Sequence, residues 1–294
     1  MKAVVFGAGG QDGSYLVELL SGKGIETVGV SRSGSWRHAD VGRLADVEAV
    51  VRDVRPDLIF HLAANSTTRH DALFENQETI ATGSLNVLEC ARRYCPGARV
   101  FVTGSGVQFH NSGQPIDEGT PFEATSPYAV ARIQSVFAAR YYRSLGMRTY
   151  VGYLFHHESP RRKPSHLSKV IALAARRIAS GAEQVLDLGD ISVVKEWTFA
   201  GDTMRAILCL VEQDDIFEAV IGSGEGHSVE EWLDRCFSLV GLSWRNHVKL
   251  KEGFQAEYQC LLSRPTRIKS LGWRPIVSFP ALAEMMMASD RGIE

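Results

Sequence analysis

Along the first half of the chain, short unbroken apolar runs alternate with segments whose apolar positions recur every three or four residues. Residues 3–6 (AVVF), 27–30, 57–62 (DLIFHL), 99–103 (RVFVT) and 148–154 are runs of the first kind, the pattern of strands buried on both faces. Residues 14–21, 47–54, 80–94 and 127–145 are of the second kind, with Leu16, Leu19 and Leu20 on one side of the first. Each strand–helix–strand step needs a crossover, so the alternation predicts parallel pairing and a doubly wound α/β sheet. The rhythm changes after about residue 155, where the loop SPRRKPS is charged and holds prolines. Helices are predicted at 167–180, 202–211 and 229–240, and the tail, from RIKSLGWRP to residues 279–288, reads as a small helical cap. The expected division is a sheet domain over 1–155, with later segments free to rejoin it, and a smaller, mostly helical C-terminal lobe over 156–294.

Composition narrows the class without naming it. The 294 residues are 45% hydrophobic and 22% charged, an ordinary globular balance. A formal net charge of −2 gives no field that would draw nucleic acid or an anionic membrane. No apolar stretch approaches the roughly 20 residues that span a bilayer, and the opening run VVFGAGG is too short for a signal peptide. Cys90, Cys95, Cys209, Cys236 and Cys260 are odd in number and scattered, with no C-x-x-C pair, so neither a metal site nor a disulfide framework is expected. Reduced thiols in a cytoplasmic protein are the expectation.

Between the first strand and the first helix lies GAGGQDG, with Gly7, Gly10 and Gly13 at a G-x-x-G-x-x-G spacing. Glycines are needed where backbone turns tightly, approaches a pyrophosphate and packs helix on strand, and the helix N-terminus offers free N–H groups to the phosphates. In this context the loop predicts a Rossmann-type dinucleotide site. The end of the second strand reads Ser31, Arg32 and Ser33, where an acidic residue would hold the ribose of NAD. A cation flanked by hydroxyls suits a 2′-phosphate, which favours NADP(H) over NAD(H); the alternative is that Arg32 is a solvated loop residue. Asp40 either contacts the adenine amine or caps the next helix.

The segments GQDGSYL, LAA, TPF-x-x-x-SPYAVA, LF-x-HESPRR and LGW-x-P together resemble the GDP-mannose 4,6-dehydratase family, a group of extended short-chain dehydrogenase/reductases acting on nucleotide sugars. The likeness runs from Val4 to about Met287. It implies a Rossmann domain plus a lobe that closes a nucleotide sugar into the cleft between them, and it adds Gln11, Asp12, Ala63, Ala64 and His157 to the cofactor set. It also implies a catalytic trio that works on the sugar C4 carbinol, here Ser105, Tyr128 and Arg132. The family has Lys at the third position, where it binds the nicotinamide ribose and steadies the Tyr phenolate. Arg keeps the charge but is planar and bulkier, so Arg132 reads as an altered cation of the cofactor and catalytic sets, or as an exposed helical Arg in a protein that binds cofactor without turnover. A second departure concerns reaction type. The family Glu that removes the C5 proton is matched by Val107, and neither Val107 nor Gln108 can act as a base. General acid–base help contributes about 10²–10⁴-fold, so a 4-keto reductase is favoured over a dehydratase that recruits His110 or His156, with epimerisation also open.

For the substrate side the resemblance points to His156, Arg161, Arg162, Lys195 and Arg264, with Lys163 adjacent. Lys195 stands where the family has an Arg for the diphosphate, and Trp197 and Asp202 read as structural. The implied partner is a nucleotide-diphosphate sugar, GDP-linked by resemblance. A homodimer is expected through the 80–94 and 127–145 helices, with Val136 and Phe137 fitting either that interface or the core.

Overall fold

The computed structural model describes residues 1–182 and 184–288. At its centre is a seven-stranded sheet: β1 (Lys2–Phe6), β2 (Glu26–Ser31), β3 (Arg37–His38), β4 (Leu58–His61), β5 (Arg99–Ser105), β6 (Arg148–Leu154) and β7 (Glu218–Ile221). In space they run β7-β6-β5-β4-β1-β2-β3, and every neighbouring pair is parallel. The chain winds outward from β1 to β3 and then restarts at β4 on the other side of β1. That reversal opens a crevice beyond the carboxyl ends of β1 and β4, where doubly wound folds take their ligands.

Alternate strand residues face opposite sides, so one strand feeds two cores. Val4 and Phe6 join Val47 and Val51 of α2 (Leu44–Val54), Leu88 of α3 (Gly83–Tyr94) and Val136 of α4 (Pro127–Ser144). Ala3 and Val5 join Leu16 and Leu20 of α1 (Gln11–Gly22), with Met204 and Ile207 of a helix spanning Ala200–Val211. Both β7 and that last helix come from beyond residue 155, so the late chain does return to the sheet. A third core gathers Ile171, Ala175, Trp232, Phe237, Leu282 and Met286 from the helices Leu167–Ala179, Val229–Ser238 and Phe279–Ala288. There Trp197 stacks on Trp232 at 4.5 Å. Short strands lie among these helices: Leu186–Leu188 beside Val248–Leu250, and Val194–Lys195 between His227–Ser228 and Cys260–Leu261.

Local chemistry sets the ends that matter. Ser126 accepts the Ala129 N–H and Pro127 opens α4, which fixes Tyr128 in the first turn. The helix expected over 80–94 begins at Gly83, preceded by a π-helical turn over Gln77–Thr82. Asp202, fully buried, accepts from the backbone N–H groups of Ile276 (2.6 Å) and Val277 (2.9 Å) and pairs with Arg205. The tail is thereby pinned to the helix packed behind the sheet.

Candidate active site

The glycine loop leaves no room for side chains. Gly7 has φ of +93°, and a Cβ there would sit 2.6 Å from the Ala63 nitrogen. A Cβ on Gly13 would fall 2.2 Å from the Gly7 carbonyl oxygen. Gly10 donates to that same oxygen at 3.0 Å and is the N-cap of α1, so the helix opens directly onto the crevice. Gln11 donates to Asp12 (3.0 Å) and accepts from Ser159 Oγ (2.8 Å). His157 places Nε2 3.0 Å from both Asp12 oxygens and Nδ1 2.7 Å from the Phe155 carbonyl. Burial alone lowers a histidine, but the Asp12 carboxylate overcomes it and raises His157 above its ordinary value. Burial likewise raises Asp12, yet His157 and Arg162 hold it well below the usual carboxylate range. Asp12 and His157 thus clamp the glycine loop to the segment after β6.

At the end of β2 the Arg32 guanidinium is half-exposed and 3.4 Å from Glu75, which also accepts from Asn65 at 2.7 Å. Asp40 accepts the Gly42 N–H at 2.9 Å, while the N-cap of α2 is Arg43; Asp40 therefore shapes the turn and does not cap the helix.

Ser105 ends β5, with its N–H donating to the Gln108 side chain at 2.8 Å. Tyr128 is buried against Ile80, Ala81 and Ala131, with Ala64 and Val107 packed on that cluster. No group among the described residues hydrogen-bonds its hydroxyl. Arg132 is 3% exposed, donates Nη1–H to the Thr103 carbonyl at 2.7 Å, and holds its guanidinium carbon 5.0 Å from the Tyr128 ring centroid. The reading of Arg132 as an exposed helical cation is therefore corrected: it is interior and held against Tyr128. His110 is exposed and 3.0 Å from Glu123.

In the lobe, a cavity of about 190 Å³ is walled by Leu188, Val193, Asp190, Lys195, Glu257 and Tyr258 among others. Lys195 is 7% exposed, with Nζ 4.6 Å above the Trp197 ring. Burial lowers its ammonium, with Glu158 opposing. Arg162 forms an ion pair with buried Glu158 at 3.0 Å. Arg161 turns instead to the outer face of α1, 4.0 Å above the Tyr15 ring and bonded to Ser14 (3.0 Å) and Glu18 (2.7 Å). Arg264 is exposed and 3.5 Å from Asp117. The tail contributes Phe254, Ala256, Glu257 and Tyr258 to the cavity wall, not Arg264.

Tyr258 is not singled out by the sequence; an isolated aromatic in KEGFQAEYQ carries no periodic signal. Its hydroxyl lies 3.0 Å from His156 Nε2. Burial holds His156 well below its ordinary value, with Lys195 and Arg162 adding to the effect. The same segment is tied to strand-end loops by a Thr68–Glu257 hydrogen bond and by Asn111 donating to the Cys260 carbonyl at 2.8 Å.

Comparison with known proteins agrees with this architecture. Residues 4–286 match the family model described as GDP-mannose 4,6 dehydratase. GDP-mannose 4,6 dehydratase 1 of Arabidopsis thaliana is 33% identical over 324 residues, covering 98% of this chain and 89% of its own. The Vibrio cholerae GDP-mannose 4,6-dehydratase is 29% identical, covering 98% and 93%. Among solved structures, the UDP-glucose 4-epimerase of Thermus thermophilus in complex with NAD superposes with a TM-score of 0.85 at 23% identity over 100% of both chains. RMD from Pseudomonas aeruginosa complexed with NADPH gives 0.84 at 19% identity, covering 97% of each. These likenesses carry the fold, a Rossmann sheet of the extended short-chain type. With the family model matched over 4–286 and relatives above 30% identity along 98% of its length, the chain belongs to the GDP-mannose 4,6-dehydratase family.

Proposed function

We propose that this chain is a nicotinamide-dependent oxidoreductase that modifies a nucleotide-linked hexose at C4, with reduction of a 4-keto sugar as its net reaction and a GDP-sugar as the first substrate to try. The observation that carries the reductase reading is Val107. It packs on the Tyr128 cluster at the position where the resemblance puts the eliminating carboxylate. Dinucleotide binding is supported by the tight backbone turn that Gly7 and Gly13 permit and by the N-terminus of α1 that it presents to the crevice. Gly7, Gly10, Gln11, Asp12, Gly13, Ala63 and Ala64 would hold the dinucleotide, which supplies the hydride exchange when bound. Arg32 would meet a 2′-phosphate by leaving Glu75, an exposed pair of little strength; this favours NADP(H).

Tyr128 then moves the proton at the sugar oxygen, Ser105 hydrogen-bonds that oxygen, and Arg132 favours the phenolate through space. Lys195 and Arg162 face the diphosphate, and residues 156–294 supply the nucleotide-sugar lobe, apart from the stretches that join the sheet. The relatives' names favour a second reading, dehydration with a substitute base. Against it, His110 is exposed on Glu123 and His156 is engaged by Tyr258. The protein would act as a homodimer, and its five free thiols suit a cytoplasmic setting.

The deciding experiment incubates the protein with GDP-mannose and NADP⁺, and separately with the 4-keto-6-deoxy sugar and NADPH. Stoichiometric NADPH loss in the second supports the reductase. A 4-keto-6-deoxy product without net cofactor change in the first establishes the lyase instead, and silence in both refutes turnover on these sugars.

A further inference from the structure

Beneath Tyr128, three interior polar atoms are left without partners. His61 ends β4, is 1% exposed, and neither ring nitrogen makes a hydrogen bond; Arg132 Nε makes none either. The two residues are linked through a common neighbour, Thr103, which touches His61 only at its main chain. Thr103 accepts Arg132 Nη1–H at its carbonyl (2.7 Å) while its hydroxyl donates to the His61 carbonyl (2.7 Å). On its other side the imidazole faces α3 and the π-helical turn. A Cβ on Gly83 would come within 3.2 Å of His61 Nε2. The backbone of Ile80 and Thr79 lies near the ring outside hydrogen-bond geometry. The Ile80 carbonyl is already taken by Ser84 Oγ (2.6 Å) and Ser135 Oγ (3.2 Å).

A buried donor left alone carries its full desolvation penalty, and buried waters bridge such groups where polar atoms converge. A neutral imidazole has one acceptor and one donor nitrogen, so one ring can serve both a guanidinium N–H and a carbonyl. We propose that His61 is a positioning residue for Arg132: its neutral ring accepts from Arg132 Nε–H through one enclosed water, and with the Thr103 carbonyl fixes the guanidinium under the Tyr128 ring. Burial, and then the Arg132 charge, hold His61 down to about 4, so the ring stays an acceptor at neutral pH. The cation would thus reach Tyr128 from inside the fold and not from the cofactor side. The catalytic half of this inference rests on the proton-transfer reading of Tyr128; the structural half does not.

Two measurements test it. In histidine ring NMR, with His61 assigned by its loss in His61→Phe and His61→Asn, Arg132→Met should raise the His61 pKa by about one unit or more. The Arg132 Nε–H, protected from exchange in the wild type, should lose that protection in His61→Phe. An unchanged His61 titration in Arg132→Met, or an Nε–H equally protected in His61→Phe, overturns the proposal. In kinetics, His61→Phe should displace the Tyr128 limb of the kcat/KM pH profile upward by about half a unit or more, with partial return in His61→Asn and little change in KM for NADP(H). A lowered kcat with an unmoved pH limb shows a merely structural His61 and also overturns it. If the wild type turns over no sugar, the functional reading fails while the NMR arm still decides the His61–Arg132 contact.

Discussion

A valine has no lone pair to take a proton, and Val107 lies against the cluster that holds Tyr128. If that alone blocks elimination, Val107→Glu should raise formation of the 4-keto-6-deoxy product by about 10²-fold, read by product NMR; a folded variant with no increase would show that Val107 is not what withholds the reaction. A second expectation at this scale concerns the Asp12–His157 clamp. Asp12 has a depressed pKa, so its share of stability is present above the ordinary Asp value near ~3.9 and fades as pH falls. His157 has a raised one, so its share is full below the ordinary His value near ~6.5 and fades as pH climbs through the raised value. Thermal melting should therefore show a plateau between those two limits, flattened at both edges in Asp12→Asn. The glycines of this site were legible in sequence because only glycine fits against Ala63 at Gly7 and against the Gly7 carbonyl at Gly13. Tyr258 was not, because nothing local distinguishes a cavity-lining aromatic from any other.

Elements are legible where period and punctuation agree. The five early strands and the α1–α4 crossovers follow from alternation and from breakers such as Ser126-Pro127. Among the features that escape, two show the physical reasons. The π-helical turn at Gln77–Thr82 keeps nearly the same apolar spacing as an α-helix, so the pattern cannot reveal it. The strand Glu218–Ile221 is four residues long and exists by pairing with β6, a long-range contact no window contains. Asp202 joins such distant elements, and removing it leaves the Ile276 and Val277 N–H groups unpaired, each at a cost of about 1–3 kcal/mol. Asp202→Ala should accordingly lower the urea midpoint steeply; a loss below about 1 kcal/mol would mean the tail is held by its apolar contacts alone.

On the scale of the whole molecule, α3 and α4 cover one face of the sheet but leave Leu85, Phe137, Tyr141 and Leu145 exposed by 48–60%. Val136 is fully buried in the same helix, so of the two residues weighed for an interface only Phe137 is available. Contiguous apolar exposure of this kind marks a docking face, and a second copy is the proposed occupant. Phe137→Glu should halve the mass seen by light scattering while melting stays cooperative; an unaltered mass would place any interface elsewhere.

The tail segment that walls the lobe cavity is bonded at Glu257, Tyr258 and Cys260 to loops that follow three different sheet strands. The tail segment and these loops are thus a matched set. A chimera that took this tail segment from a relative would have to bring matching residues at Thr68, Asn111 and His156 with it, so the tail and these loops can change only together.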